Sequence, residues 1–330
     1  MSVIRVMIKN RYLGYALLLL SFVLLSTKSY AQGLIETQRM AEQGDAQAQF
    51  VLGTSYARGE GVAQDAKQAM IWYRKAAEQD NEWAQLLLGA MYANGEGVAQ
   101  DTKQALTWYR KAAEQDNAAA QYNLGVMYAN GEGVAQDAKQ AVTWYRKAAE
   151  QGLPQAQHNL GAMYTDGEGV AQDAKQAVTW YRKAAEQGFA EAQYNLGVMY
   201  TTGEGVAQDS KQAVTWYRKA AEQGFAEAQH NLGAMYTDGE GVAQDAKQAV
   251  AWCRKAAEQG LPQAQYSLGL RYAEGLDVPQ DNRQAYAWLS VAFANGHSSA
   301  KKYRDLVAKR LSKSQLEDAQ RLAGQYFDRY

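Results

Sequence analysis

GEGVAQDAKQAVTWYRKAAEQG, Gly131 to Gly152, returns along the chain almost letter for letter. Its opening glycine recurs at Gly59, Gly95, Gly131, Gly167, Gly203, Gly239 and Gly275, each step being 36 residues. Self-similarity at a fixed period of this size is the mark of stacked repeats. A repeat array grows by addition, so 330 residues do not divide into globular domains in the usual way. Seven units are predicted, from Asp45 to Gly296.

The unit Leu153 to Gly188 shows what each position is for. Pro154 suits the first turn of a helix. Ala156, Leu160 and Tyr164, at i, i+4 and i+8, then follow one face of it. Gly167 ends this helix, called A, in a left-handed conformation, and GEGVAQ turns the chain round. Asp173 caps a second helix, B, by accepting from a free first-turn amide. Ala177, Trp180, Tyr181 and Ala184 form the buried stripe of helix B, and Gly188 closes it. The small Ala156 and Ala177 let helices approach, while Trp180 and Tyr181 fill the space between hairpins. The predicted unit is an α/α hairpin.

The string AQ..LG.MY..GEGVAQD..QA..WYRKAAEQG resembles the Sel-1-like repeat, a relative of the tetratricopeptide repeat with a longer turn. The likeness runs from Asp45 to Gly296. It implies an all-α fold, a right-handed α/α superhelical solenoid, with a concave groove lined by helices A. It also implies adaptor and assembly roles, and in exported members contact with host proteins or cells. A second reading comes from cysteine-rich relatives described as penicillin-binding proteins or weak β-lactamases, which would make this chain an enzyme or a cell-wall ligand binder. Those relatives staple each hairpin with a cysteine pair, whereas this chain has Cys253 alone, in the place of a repeat tyrosine. Burial as an inert thiol is the expectation there. The seventh unit departs from the pattern, with GLDVPQD in its loop and AWLSVAFANG in helix B. Residues 32–44 read as a half repeat and 297–330 as two capping helices.

The first residues follow another design. Arg5, Lys9 and Arg11 precede an apolar run from Leu13 to Leu25, and SYAQ follows. This is the pattern of a secretory signal peptide, residues 1–31, with cleavage expected after Ala31. The run is short for a membrane span, which takes about 20 residues, so the mature chain is expected periplasmic or secreted without stable membrane insertion. Cleavage leaves 30 basic against 35 acidic side chains. That balance gives no basic footprint for nucleic acid.

The search for chemistry returns little. A phosphate-binding loop follows a strand and opens a helix directly; the Gly-x-Gly here does neither. The acids of the loop are accounted for by capping. His158 and His230 lie two repeats apart, about 20 Å at ordinary helix spacing, too far to share a metal. No nucleophile elbow or His-Glu-x-x-His run occurs. No active site, cofactor or metal is expected, and a monomer is.

The informative positions are those where the copies differ. Two residues after the packing alanine of helix A the units read Phe50, Leu86, Tyr122, His158, Tyr194, His230 and Tyr266. At 100° per residue this position faces away from the hairpin's own core. The same face carries Val126, Ala162, Val198, Ala234 and Leu270. Tyr122, His158, Tyr194, His230 and Tyr266 are therefore the predicted binding residues, for a protein or peptide partner; the alternative is that these rings pack against the next helix A along. Lys175, Thr179, Arg182 and Lys183 of helix B read as a solvated exterior.

Overall fold

The computed structural model describes residues 33–330, and every regular element among them is an α-helix. The predicted signal peptide lies outside the described residues. The chain forms two compact units, one ending at Gln151 and one beginning at Gly152. The first holds α1 (helical at 33–42), α2 (Ala46–Arg58), α3 (Ala66–Ala77), α4 (Glu82–Asn94), α5 (Thr102–Glu114), α6 (Ala118–Asn130) and α7 (Ala138–Glu150). The second holds α8 (Pro154–Asp166), α9 (Ala174–Glu186), α10 (Ala190–Thr202), α11 (Ser210–Glu222), α12 (Ala226–Asp238), α13 (Ala246–Glu258), α14 (Pro262–Glu274), α15 (Asn282–Ala294), α16 (Ala300–Ala308) and α17 (Lys313–Phe327). From α2 to α15 even numbers are helices A and odd numbers helices B. Within each unit every A pairs with the B that follows it, and each B with the next A.

The opening stretch does three structural jobs. Gly131 caps α6 at φ 75°, its N–H donating to the carbonyl of Met127, a conformation that costs a residue with a Cβ. Asp137 caps α7, its carboxylate accepting from the amides of Lys139 and Gln140. Between them Gly133 lies on the N-terminus of the preceding helix B. At the equivalent Gly97 an added Cβ would fall 2.5 Å from the carbonyl oxygen of Ala66. At Gly97, Gly133, Gly205 and Gly241 the second glycine therefore lets the loop seat on the hairpin before it.

Packing is carried by small residues under rings. Ala120, Leu124, Ala141 and Ala148 are fully buried. The ring of Tyr145 lies across Gly125, where a Cβ would come 2.6 Å from Cδ1; Tyr217 lies the same way on Gly197. Substituting either glycine would push the hairpin apart, because no flexible neighbour can give way.

Two side-chain ladders join the repeats, and a lysine lid recurs within helix B. A buried glutamine in helix A donates to the end of the preceding helix B, as Gln193 Nε2 does to the carbonyl of Ala185 at 3.0 Å. Its own oxygen accepts from a glutamine closing its own hairpin, Gln223, at 2.7 Å. Gln85 and Gln115 repeat the arrangement in the first unit. A buried amide costs about 1–3 kcal/mol if unpaired, so the ladder fixes register as well as adding stability. Arg182 donates to the hydroxyl of Tyr200 in the next repeat at 2.9 Å, as Arg110 does to Tyr128. Lys183 Nζ sits 3.9 Å over the ring of Trp180, and the same lid covers Trp72, Trp108, Trp144, Trp216 and Trp252. The solvated exterior expected of helix B is corrected for Arg182, which is half-buried and ties repeats together; Lys183 is exposed as expected while lying over an indole. Lys175 and Thr179 are exposed.

The ends follow the same grammar with local changes. Gln49 Nε2 donates to the carbonyl of Ala41 in α1 at 3.0 Å, so α1 stands where a helix B would stand. At the other end α16 packs on α15 as a further helix A would, but α17 turns back onto α15 instead of pairing with α16. The reason is local: Ser290 and Val291 replace the Arg and Lys of the other repeats, leaving Trp288 without its lid. Tyr326 and Tyr330 cover it, with ring centroids 4.5 and 5.4 Å away.

Candidate interaction face

The five predicted residues all sit half-buried on helices A. Tyr122 belongs to the first unit, and His158, Tyr194, His230 and Tyr266 to the second. They do not face clear of their own hairpins, as the helical angle alone suggested. The Tyr122 ring centroid is 5.9 Å from that of Tyr145, His158 is 5.6 Å from Tyr181, and Tyr194 is 5.9 Å from Tyr217. For these three the cause is the glycine of helix A, which lets the helix B tyrosine reach across and meet the stripe from below; under His230 and Tyr266 that tyrosine is replaced by Cys253 and Leu289.

In the second unit the stripe also meets the next hairpin, as the alternative reading held. His158 meets Phe189 at 5.4 Å, and Tyr194 meets Phe225 at 5.1 Å. Asn195 Nδ2 donates to His158 Nε2 at 3.0 Å, and His158 Nδ1 lies 3.2 Å from Asn159 Oδ1. Those partners select the neutral tautomer that carries its proton on Nδ1. Burial pulls the His158 imidazole below the ordinary histidine value, against the upward pull of the Asn159 hydrogen bond and the charge of Glu191. His230, 3.3 Å from the Ser267 hydroxyl, is lowered by burial in the same way, with Glu227 opposing. Tyr266 is stacked on His297 at 4.1 Å and edges Tyr303 at 5.6 Å, so the last member of the stripe is partly covered by the C-terminal segment.

A minor part of each of these side chains remains open to solvent, along with neighbours on the face. Val198 and Ala162 are half-buried and Ala234 is exposed. The arrangement offers rigid apolar area with hydrogen-bonding edges, supported from below by helix B and sideways by the next helix A. Such supported rings lose little freedom on contact and are favoured at interfaces. Among the described residues no group of three or more His, Cys, Asp or Glu could hold a metal ion, and no helix is long and apolar enough to cross a membrane.

Cys253 is buried, with its thiol pushed up to about 11 by burial. Its surroundings hold a change that sequence reading missed. Tyr217 and Tyr181 set their hydroxyls 3.2 and 3.4 Å from Thr201 and Thr165. In the sixth repeat, where Cys253 removes that ring, the Thr237 hydroxyl is met by Arg271 from the seventh at 2.5 Å. Arg271 occupies the register of the core methionine of other repeats, Met199 or Met235. It also pairs with Asp277 at 2.5 Å, a residue at φ 62° in the place of the second loop glycine. Three departures from the repeat, Cys253, Arg271 and Asp277, thus form one compensated set. The signal was present in the sequence as two odd letters 18 residues apart.

Helical hairpins with repeated loops, inter-repeat ladders and a variable ring stripe define the class of α/α repeat scaffolds. Within that class the chain belongs to the Sel1 repeat family: Sel1 repeats match residues 46–81, 84–117, 118–153, 154–189, 190–225, 226–261 and 262–297. A Sel1 repeat protein from Oxalobacter formigenes is similar at 39% identity, with a TM-score of 0.69, over 85% of this chain and 81% of that one. A protective antigen present in uropathogenic Escherichia coli strains, displaying the same repeat fold, is similar at 33% identity and a TM-score of 0.55, over 91% of this chain and 88% of that one. No curated protein sequence matches this chain. The fold is thus an all-α repeat scaffold of the kind that serves protein–protein interaction.

Proposed function

We propose that this protein is an exported, non-enzymatic binding scaffold whose helix A face in the second unit, centred on Tyr194 and His230, holds a protein or peptide partner. The observation that carries the reading is the division between constant and variable positions. Most residues of the loops, the helix B caps and the ladders repeat because the frame needs them, whereas the ring stripe changes between Tyr and His from one repeat to the next. Tyr122 occupies the same register in the first unit. The signal-peptide pattern of residues 1–31 and the likeness to a protective antigen of a pathogenic bacterium support a place in the cell envelope or outside the cell, as adaptor or host-protein binder. No observation favours the β-lactamase-like alternative.

The test is capture of a partner from envelope extract or host serum by the immobilised protein. Ala234→Arg places a long charged side chain on the face from an exposed position, so it is expected to abolish capture with melting unchanged. Tyr194→Ala with His230→Ala is expected to abolish capture as well, at some cost in melting temperature, because both residues pack on neighbours. Undiminished capture by both variants would place recognition elsewhere.

A further inference from the structure

The two kinds of helix in the second unit carry opposite charge. Helices A, namely α8, α10, α12 and α14, hold Asp166, Glu191, Glu227, Asp238 and Glu274 against a single base, Arg271. That base is committed to Asp277 and Thr237. Helices α9, α11 and α13 hold nine Lys or Arg against three Glu. An unpatterned surface near neutrality would mix the signs. Apart from Arg271 the bases of these seven helices lie on helices B, where Arg182, Arg218 and Arg254 bridge repeats and Lys183, Lys219 and Lys255 shield indoles.

Two of the acids stand beside the ring stripe. Glu191 and Glu227 are exposed and precede Tyr194 and His230 by three residues, which puts them on the same helix face. Their charge reaches the rings: Glu191 acts on His158, and Glu227 on both His230 and Tyr194. No Lys or Arg on these helices answers them. The tyrosine faces supply a second attraction for a cation.

We infer that the helix A face of the second unit selects a basic partner, an extended segment bearing Lys or Arg at every third residue. The inference rests on the proposed binding face and adds the chemistry of what it binds. The spacing comes from geometry. Neighbouring helices A lie about 10 Å apart, and an extended chain rises about 3.3 Å per residue, so residues three apart meet Glu191 and Glu227 in turn.

A display library of random 12-residue peptides, selected on the full chain, tests both levels separately. The selected sequences are expected to be enriched in Lys and Arg at a spacing of three. A synthetic peptide of that pattern in a Ser and Ala background is then measured by fluorescence anisotropy. Its affinity should fall about tenfold in Glu191→Gln with Glu227→Gln, at about 0.2–1 kcal/mol for each exposed ion pair, fall again with added salt, and vanish in Ala234→Arg. Selected peptides without basic enrichment that are nonetheless lost in Ala234→Arg would overturn the charge rule and leave the face standing. Selected peptides that bind Ala234→Arg undiminished would overturn the face and the charge rule together.

Discussion

Cys253 shows how a single residue is to be read in a repeat. Against its neighbours it is a lost tyrosine, and the loss leaves the Thr237 hydroxyl without its usual partner. Arg271 supplies that partner from the next repeat. Restoring the tyrosine alone would drive a ring into the space the guanidinium holds, an overpacking that costs about 1–3 kcal/mol. Arg271→Met alone would leave that space unfilled and Asp277 unpaired. The two changes together rebuild the arrangement of the other repeats. Cys253→Tyr and Arg271→Met are therefore expected each to lower stability in urea unfolding, and the double variant to recover most of the loss. Additive losses would show that the two sites are independent. At this scale the caps Asp173 and Gly167 were legible in the sequence, because a cap acts within a few residues of itself. Arg182, Lys183 and Gln193 were not legible. Arg182 and Gln193 have partners 8 to 30 residues away, and periodicity names a face without naming what lies across it; Lys183 covers Trp180, on its own helix.

At the scale of elements, the seventh repeat explains the end of the array. Helix α15 keeps the tryptophan of a helix B but replaces the following Arg and Lys with Ser290 and Val291, so its outer side is apolar. The C-terminal helix answers with Ala319 and Ala323, both buried, and with the rings of Tyr326 and Tyr330. The Tyr326 hydroxyl donates to Gln284 at 2.6 Å, which sets the register of α17 on α15. The sequence predicted two capping helices at 297–330, and the second begins after Ser312, which forms a capping box with Gln315. The return of α17 onto α15 was not visible, since amphipathic pattern gives a buried face without its destination. Tyr326→Ala with Tyr330→Ala is expected to lower stability by about 2–4 kcal/mol and to speed amide exchange in Asn282–Ala294. Unchanged exchange there would mean that α17 is not a working cover for Trp288.

At the scale of the molecule, a division of labour runs through each unit. Helices B, the loops and the glutamine ladder are nearly invariant and hold neighbouring hairpins in register. Helices A present the residues that change and, in the second unit, an excess of acids, of which Glu274 is paired with Arg310 while Glu191 and Glu227 stand exposed beside the rings. The repeat and its hairpin were legible because 36-residue copies compare themselves; the candidate face was legible only in part. Tyr194 and His230 were found by their variation, but their support by Tyr217 and by Ser267 came from distances the sequence does not contain. The central claim is that recognition belongs to helices A and not to helices B. Its most direct measurement is the affinity of one partner peptide for two surface variants of equal stability, Ala234→Arg on helix A and Thr215→Arg on the exposed side of helix B. Loss of binding in the first, with the second within twofold of the parent, is the result predicted. Loss in the second with the first unchanged would contradict it.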